Sequence, residues 1–148
     1  MDGCTHILQN SEIVGIINEL IRINNDRIHL YARAILDLAP EDRDLARVLE
    51  ANKRKIECHN AFLEEEVRDL GGEVAAGEPH DGNRSFKSTN RHAVLMNCIC
   101  GELVAQRVYH SALDNPRLPG YLQELLGVQR EELERMYRRL EGMKATAF

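Results

Sequence analysis

The residue with the clearest chemical potential is Glu102, a carboxylate on an otherwise apolar helical stripe. Residues 93–113 read AVLMNCICGELVAQRVYHSAL, and Leu95, Cys98, Glu102, Ala105 or Gln106, Tyr109 and Leu113 recur on one helical face. Met96, Cys100, Leu103 and Val104 make the opposite face apolar too, and a helix apolar nearly all round is buried nearly all round. A carboxylate turned into such a core must protonate, find a cation or hold a metal. Two side chains on other core stripes are candidates to meet it: Arg27, in the first helical pattern, and His59, in the second. The preferred reading is a Glu102–Arg27 or Glu102–His59 pair. The alternative is one ion held by His59 and Glu102 with water.

Other chemistries find little support. Cys58 and His59 are adjacent and diverge on a helix, so they form no nucleophile–base pair. Cys98 and Cys100 are two apart and point to different faces, so they do not chelate one ion together. His80, His92 and His110 fall in a loop or at helix edges. The glycines at 71–90 lack phosphate-loop spacing and do not lie between a strand and a helix.

Four amphipathic helices are expected to position these residues. The first covers about 11–38, with Ile13, Ile16, Ile17, Leu20, Tyr31, Ala34, Ile35 and Leu38 inward; Asn24 and Arg27 interrupt that face near its middle. Asn10 or Ser11 is its expected cap and Pro40 its end. The second covers about 42–70, with Leu45, Val48, Leu49, Ile56, Leu63, Val67 and Leu70 on a stripe shared with Asn52 and His59; Gly71-Gly72 stops it. The third covers 93–113, capped by Ser88, Thr89 or Asn90 and closed by Asn115-Pro116. The fourth covers about 119–143, with Leu122, Leu126, Gln129, Leu133, Met136, Tyr137 and Leu140 inward and the charged run REELERMYRR outward.

Between the second and third helices, GGEVAAGEPHDGNRSFKSTN keeps no apolar period. A helix of this length is roughly 42 Å long, and about 18 extended residues span roughly 60 Å. The 71–90 loop is therefore long enough to cross the bundle and start the third helix parallel to the second. Short, long and short connections describe an all-α four-helix bundle with one long crossover between helices 2 and 3, as one domain over 1–148.

Composition agrees and excludes several classes. Trp is absent and aromatics are 5%, so aliphatic residues must build the core. The 19 Lys+Arg and 24 Asp+Glu give a net charge of −5 with both signs interleaved, and no basic surface for nucleic acid stands out. Lys53-Arg54-Lys55 is flanked by Glu50 and Glu57 and reads as a solvated helix face. No stretch has the length and apolarity of a bilayer span or of a secretory leader. Four cysteines, three of them inside helical patterns, suggest reduced thiols and a cytoplasmic setting.

The chain resembles the bacterial ferritin-like bundle proteins of uncharacterised function. The stretches that carry the likeness are INELIRINNDRIHLY, VRDLGGE and GELVAQRVYHSAL, with the fourth helix from Gln129 to Leu140. The likeness runs from about residue 12 to 142, and the crossover is shorter than that family's. The wider ferritin-like group holds two metal ions with a Glu from each of two helices and a Glu-x-x-His from each of the other two. The resemblance puts those positions on Asn24, on Ile56-x-x-His59, on Glu102 and on Glu134-x-x-Tyr137. Only His59, Glu102 and Glu134 are chemically suitable, and Glu134 is shared with Arg138. The resemblance therefore implies a degenerate di-metal site with no cofactor, and a scaffold or stress-related interaction module rather than an enzyme. The alternatives are a weak metal-binding or oxidase-type protein using iron, manganese or zinc, and a binder of a small apolar ligand. The apolar back of the third helix (Met96, Cys100, Val104) is expected to be covered, by the crossover or by a second chain in a homodimer.

Overall fold

The computed structural model describes residues 2–75 and 90–144, with the backbone alone at 2–8. Helix α1 runs Asp2–Asp37, α2 Arg43–Asp69, α3 Arg91–Leu113 and α4 Gly120–Lys144; a 3-10 turn, Pro40–Asp42, joins the first two. The fold is the expected all-α bundle. The expected start of α1 is corrected: the helix begins at Asp2, because no proline interrupts residues 2–10 and Ser11 lies inside the helix instead of capping it. Asn90 is the cap of α3, its Oδ1 accepting from the His92 amide at 2.9 Å.

Gly71 adopts φ 79°, the left-handed conformation that glycine reaches without a Cβ clash. The Gly72 amide reaches back to the Val67 carbonyl and the Gly71 amide to that of Arg68, each at 2.9 Å, closing α2 with a Schellman motif. A Cβ on Gly72 would lie 2.7 Å from Val14, so the turn also packs tightly on α1. Asn18 then takes the outgoing chain with both ends of its amide. Its Nδ2 donates to the Glu73 carbonyl at 2.9 Å, and its Oδ1 accepts from the Ala75 amide at 2.8 Å.

Two apolar clusters fill the bundle, one towards each end. The first joins Ile13, Ile17 and Leu20 to Leu63, Val67, Ala112, Leu118 and Leu122. The second joins Tyr31 and Ala34 to Leu45, Leu49, Val94, Leu95 and Leu140. Their membership fixes the directions of the helices. Chains α1 and α4 run from the first cluster to the second, and α2 and α3 run from the second to the first. So α1 is antiparallel to α2, and α2 is parallel to α3. Arg91, at the start of α3, forks onto Asp44 at the start of α2, with two bonds of 2.9 Å. That fork holds the Asp44 carboxyl down at about 2. Ala75 and Asn90 therefore lie at opposite ends of the bundle; the crossover expected at 71–90 lies, for residues 76–89, outside the described residues.

Helix α1 packs on α2 and α3, and α3 packs on α4; the backbones of α2 and α4 stand further apart and meet through side chains such as Leu63, Val67, Leu122 and Leu126. At the α1–α3 crossing Gly101 admits Leu30, whose Cδ2 would stand 2.8 Å from an added Cβ. No helix among the described residues is long and apolar enough to cross a membrane.

Candidate functional site: a buried polar layer

Between the two apolar clusters lies a layer of polar side chains. Asn24, Arg27 and Tyr31 descend from α1 at three- and four-residue spacing, so one helical face presents all three. Glu102 and Tyr109 come from α3 and Gln129 from α4. Asn24, Tyr31, Glu102 and Tyr109 are fully buried, and Arg27 and Gln129 nearly so.

Glu102 meets two of them. Its Oε1 accepts from the Tyr31 hydroxyl in a short hydrogen bond, and its Oε2 stands 2.7 Å from Arg27 Nη2. The latter contact is an ion pair without hydrogen-bond alignment, since Oε2 accepts no hydrogen bond. Arg27 Nη2 donates instead to Met136 Sδ at 3.5 Å, while Nη1 donates to Asn24 Oδ1 at 2.8 Å. Arg27 Nε has no hydrogen-bond partner among the described residues.

The layer continues away from Glu102. Asn24 Nδ2 donates to the Tyr109 hydroxyl at 2.8 Å, Tyr109 donates to Gln129 Oε1 at 2.7 Å, and Gln129 Nε2 donates to the His59 carbonyl at 3.3 Å. Each group in this run donates to the next, and the run touches all four helices. Burial, reinforced by the Glu102 charge, pushes the Tyr31 phenol well above its ordinary range, which keeps its proton on the donating side. Burial also raises Tyr109, although the Asn24 bond pulls it back. Cys98, one turn before Glu102, is pushed up to about 12 by burial and then by that carboxylate.

Of the two residues expected to face Glu102, the structure brings Arg27 to it. His59 has a different partner: its Nε2 lies 3.3 Å from Glu132 Oε2. Burial lowers its pKa, against the opposing pull of Glu132. It lines a groove of about 410 Å³ between α2 and α4, with Arg54, Lys55, Cys58, Phe62 and Val128. Glu134 is half-exposed and lies 3.9 Å from Arg130 and 3.8 Å from Arg138. Leu133 and Met136, one position earlier each, take the inward places that the resemblance assigned to Glu134 and Tyr137. Among the described residues no three His, Cys, Asp or Glu side chains gather where one ion could be held.

Sequence reasoning placed Tyr31 and Tyr109 in the core as apolar bulk and missed their hydroxyls. The signal was available. A buried tyrosine hydroxyl needs a partner, and Tyr31 and Tyr109 each follow a polar core residue, Asn24 and Glu102, by seven positions.

Solved structures match the helical bundle over nearly the whole chain. A mutant of Mycobacterium smegmatis Dps1 superposes with a TM-score of 0.82 at 12% identity, covering 92% of this chain and 97% of that one. The fold is ferritin-like. Desulfovibrio desulfuricans bacterioferritin, a protein with a diiron site, gives 0.78 at 16% identity over 95% of this chain and 82% of its own. A ferritin-like, diiron-carboxylate protein of Bacillus anthracis gives 0.66 at 16% identity, covering 94% of each chain. No family model matches the chain, and no curated protein matches it. At these identities the likeness concerns the ferritin-like fold.

Proposed function

We propose that this protein is a non-catalytic ferritin-like bundle in which a polar layer occupies the place of a di-metal centre, and that it acts as a scaffold or stress-related interaction module. The Arg27–Glu102 pair carries this reading. The guanidinium stands 2.7 Å from the one buried carboxylate among the described residues, so a metal cation arriving there would meet a charge already neutralised and a cation beside it.

The rest of the layer does not fit a di-metal centre, which calls for several hard oxygen donors and imidazoles. The position assigned to the first-helix ligand is the amide Asn24, bound to Arg27 and Tyr109. Ile56 is apolar and fully buried. His59 faces Glu132 and Glu134 faces two arginines. The rival reading, one iron, manganese or zinc ion held by His59 and Glu102, has to draw both residues away from these partners. Elemental analysis of the purified protein tests the proposal. The expected result is metal far below one ion per chain; near-stoichiometric metal that disappears in Glu102→Gln refutes it.

The same reading includes a homodimer through α3. Leu103 and Val104 are 37% and 46% exposed, and Cys100 is exposed beside them; an apolar helix face left open in this way suits a two-fold partner. The other expected cover, the crossover, falls on residues outside the described ones. The free thiols of Cys58, Cys98 and Cys100 support a cytoplasmic setting.

A further inference from the structure

The open side of the bundle lies between α2 and α4. Three pairs of neighbouring helices close on one another, while the backbones of α2 and α4 are set wider, with the groove of about 410 Å³ outside the His59–Glu132 and Gln129–His59 contacts that link them. Its walls expose aromatic and aliphatic surface: Phe62 and Val128 are 57% exposed and Tyr121 54%. These residues form one strip, because Phe62 and Val128 line the same groove and Tyr121, seven residues before Val128, lies two turns along the same line of α4. A strip of this kind marks a contact surface.

Charge runs along the strip in a definite order. Lys55 lies seven residues before Phe62 and Asp69 seven residues after it. Seven residues are two helical turns, about 10.5 Å, so Lys55, Phe62 and Asp69 share one line along α2. Lys55 lines the groove with Arg54 at one end. Glu66 and Asp69, one and two turns beyond Phe62 on α2, lie toward the other. Glu132 of α4 also lines the groove near His59, but along α2 itself the line through Lys55, Phe62 and Asp69 runs from basic to apolar to acidic.

A surface with this order is complementary to itself when turned end for end. We propose that the occupant of the α2–α4 groove is a second copy of this chain, related by a two-fold axis through Phe62. In that arrangement Phe62 meets Phe62 of the other copy. Lys55 of each copy lies opposite Asp69 of the other, and Cys58 lies opposite Glu66. An isologous contact repeats each pair twice, so one attractive residue pair acts at two places. A small ligand would use the apolar walls but leave the opposite charges of the two ends unexplained. Helix α2 stands across the bundle from α3, because α1 packs between them. This surface is therefore distinct from the back of α3, and a chain that uses both builds a tetramer or a larger assembly.

Two measurements test the register. The first uses Phe62→Cys in a chain whose Cys4, Cys58 and Cys100 are changed to Ser. A residue on the axis faces its own copy within disulfide reach, so mild oxidation is expected to give a covalent dimer. The second is the mass in sedimentation. Lys55→Glu and Asp69→Lys, each alone, are expected to halve it, and the two together to restore it, because reversing both charges recreates the attraction. Absence of the disulfide, or a mass indifferent to both single reversals, overturns the proposal. So does a small molecule that co-purifies with the protein and is lost from Phe62→Glu.

Discussion

At the scale of single residues, the centre of the molecule is a charge pair that the sequence half disclosed. Glu102 on an apolar stripe had to protonate, find a cation or hold a metal, and Arg27 and His59 were the preferred partners; the structure pairs Arg27. The energetic consequence is specific. Removing one member of a buried pair leaves the other charge uncompensated and costs about 3–5 kcal/mol, whereas replacing both with apolar groups can be nearly neutral. Glu102→Leu is therefore expected to lower the unfolding free energy in denaturant by about that amount. Adding Arg27→Leu should recover much of it, and adding His59→Leu should not. Recovery with His59→Leu instead would name the wrong partner. The phenol and thiol around the pair set the alkaline limit. Tyr31 and Cys98 hold their protons more tightly in the folded chain than in the unfolded one. Their contribution is fully present below the unfolded values and is lost as pH rises. For Cys98 that window runs from about 9, the ordinary thiol range, up to about 12. Unfolding free energy followed against pH should therefore start to fall above about pH 9, and a flat profile to pH 11 would contradict the assignment.

At the scale of elements, periodicity showed nearly everything. The stripes of α2 and α4 were read correctly for most members, including the polar Asn52 and Gln129, both buried; His59, Leu70 and Tyr137, expected inward, are half-buried. The start of α1 was not legible, because nothing in residues 2–10 marks a boundary and Asn10-Ser11 imitates a cap. The expected stripe of α3 is buried too at Leu95, Cys98, Glu102, Ala105 and Tyr109, and Val94, Ile99 and Ala112 widen it beyond what was read. The partners of the buried tyrosine hydroxyls were illegible for a different reason. Which groups meet depends on the relative heights of helices far apart in sequence, and single-helix patterns carry no such information. The turn after α2, by contrast, follows from Gly71-Gly72 alone. Gly71 sits at φ 79°, where a Cβ costs about 1–2 kcal/mol. Gly71→Ala should lower stability by that amount without changing the helical circular dichroism at low temperature; no measurable loss would show that the turn relaxes freely.

At the scale of the whole molecule, two surfaces have no partner among the described residues: the back of α3 and the α2–α4 strip. Val104→Glu puts a charge on the first. If α3 pairs with α3, that change should lower the mass in solution scattering while leaving the monomer's helical content intact; an unchanged mass would refute pairing through α3. The central claim is that a protein-borne cation has taken the role of metal in this ferritin-like fold. Thermal unfolding with and without metal tests it most directly. A ligand present at 100 times its dissociation constant stabilises the folded state by about 2.7 kcal/mol. In a domain of this size that is a shift of roughly 5–10 °C. The account predicts a midpoint that stays within about a degree when a chelator, iron, manganese or zinc is added. A midpoint that falls by several degrees on chelation and returns with one of those metals would contradict it.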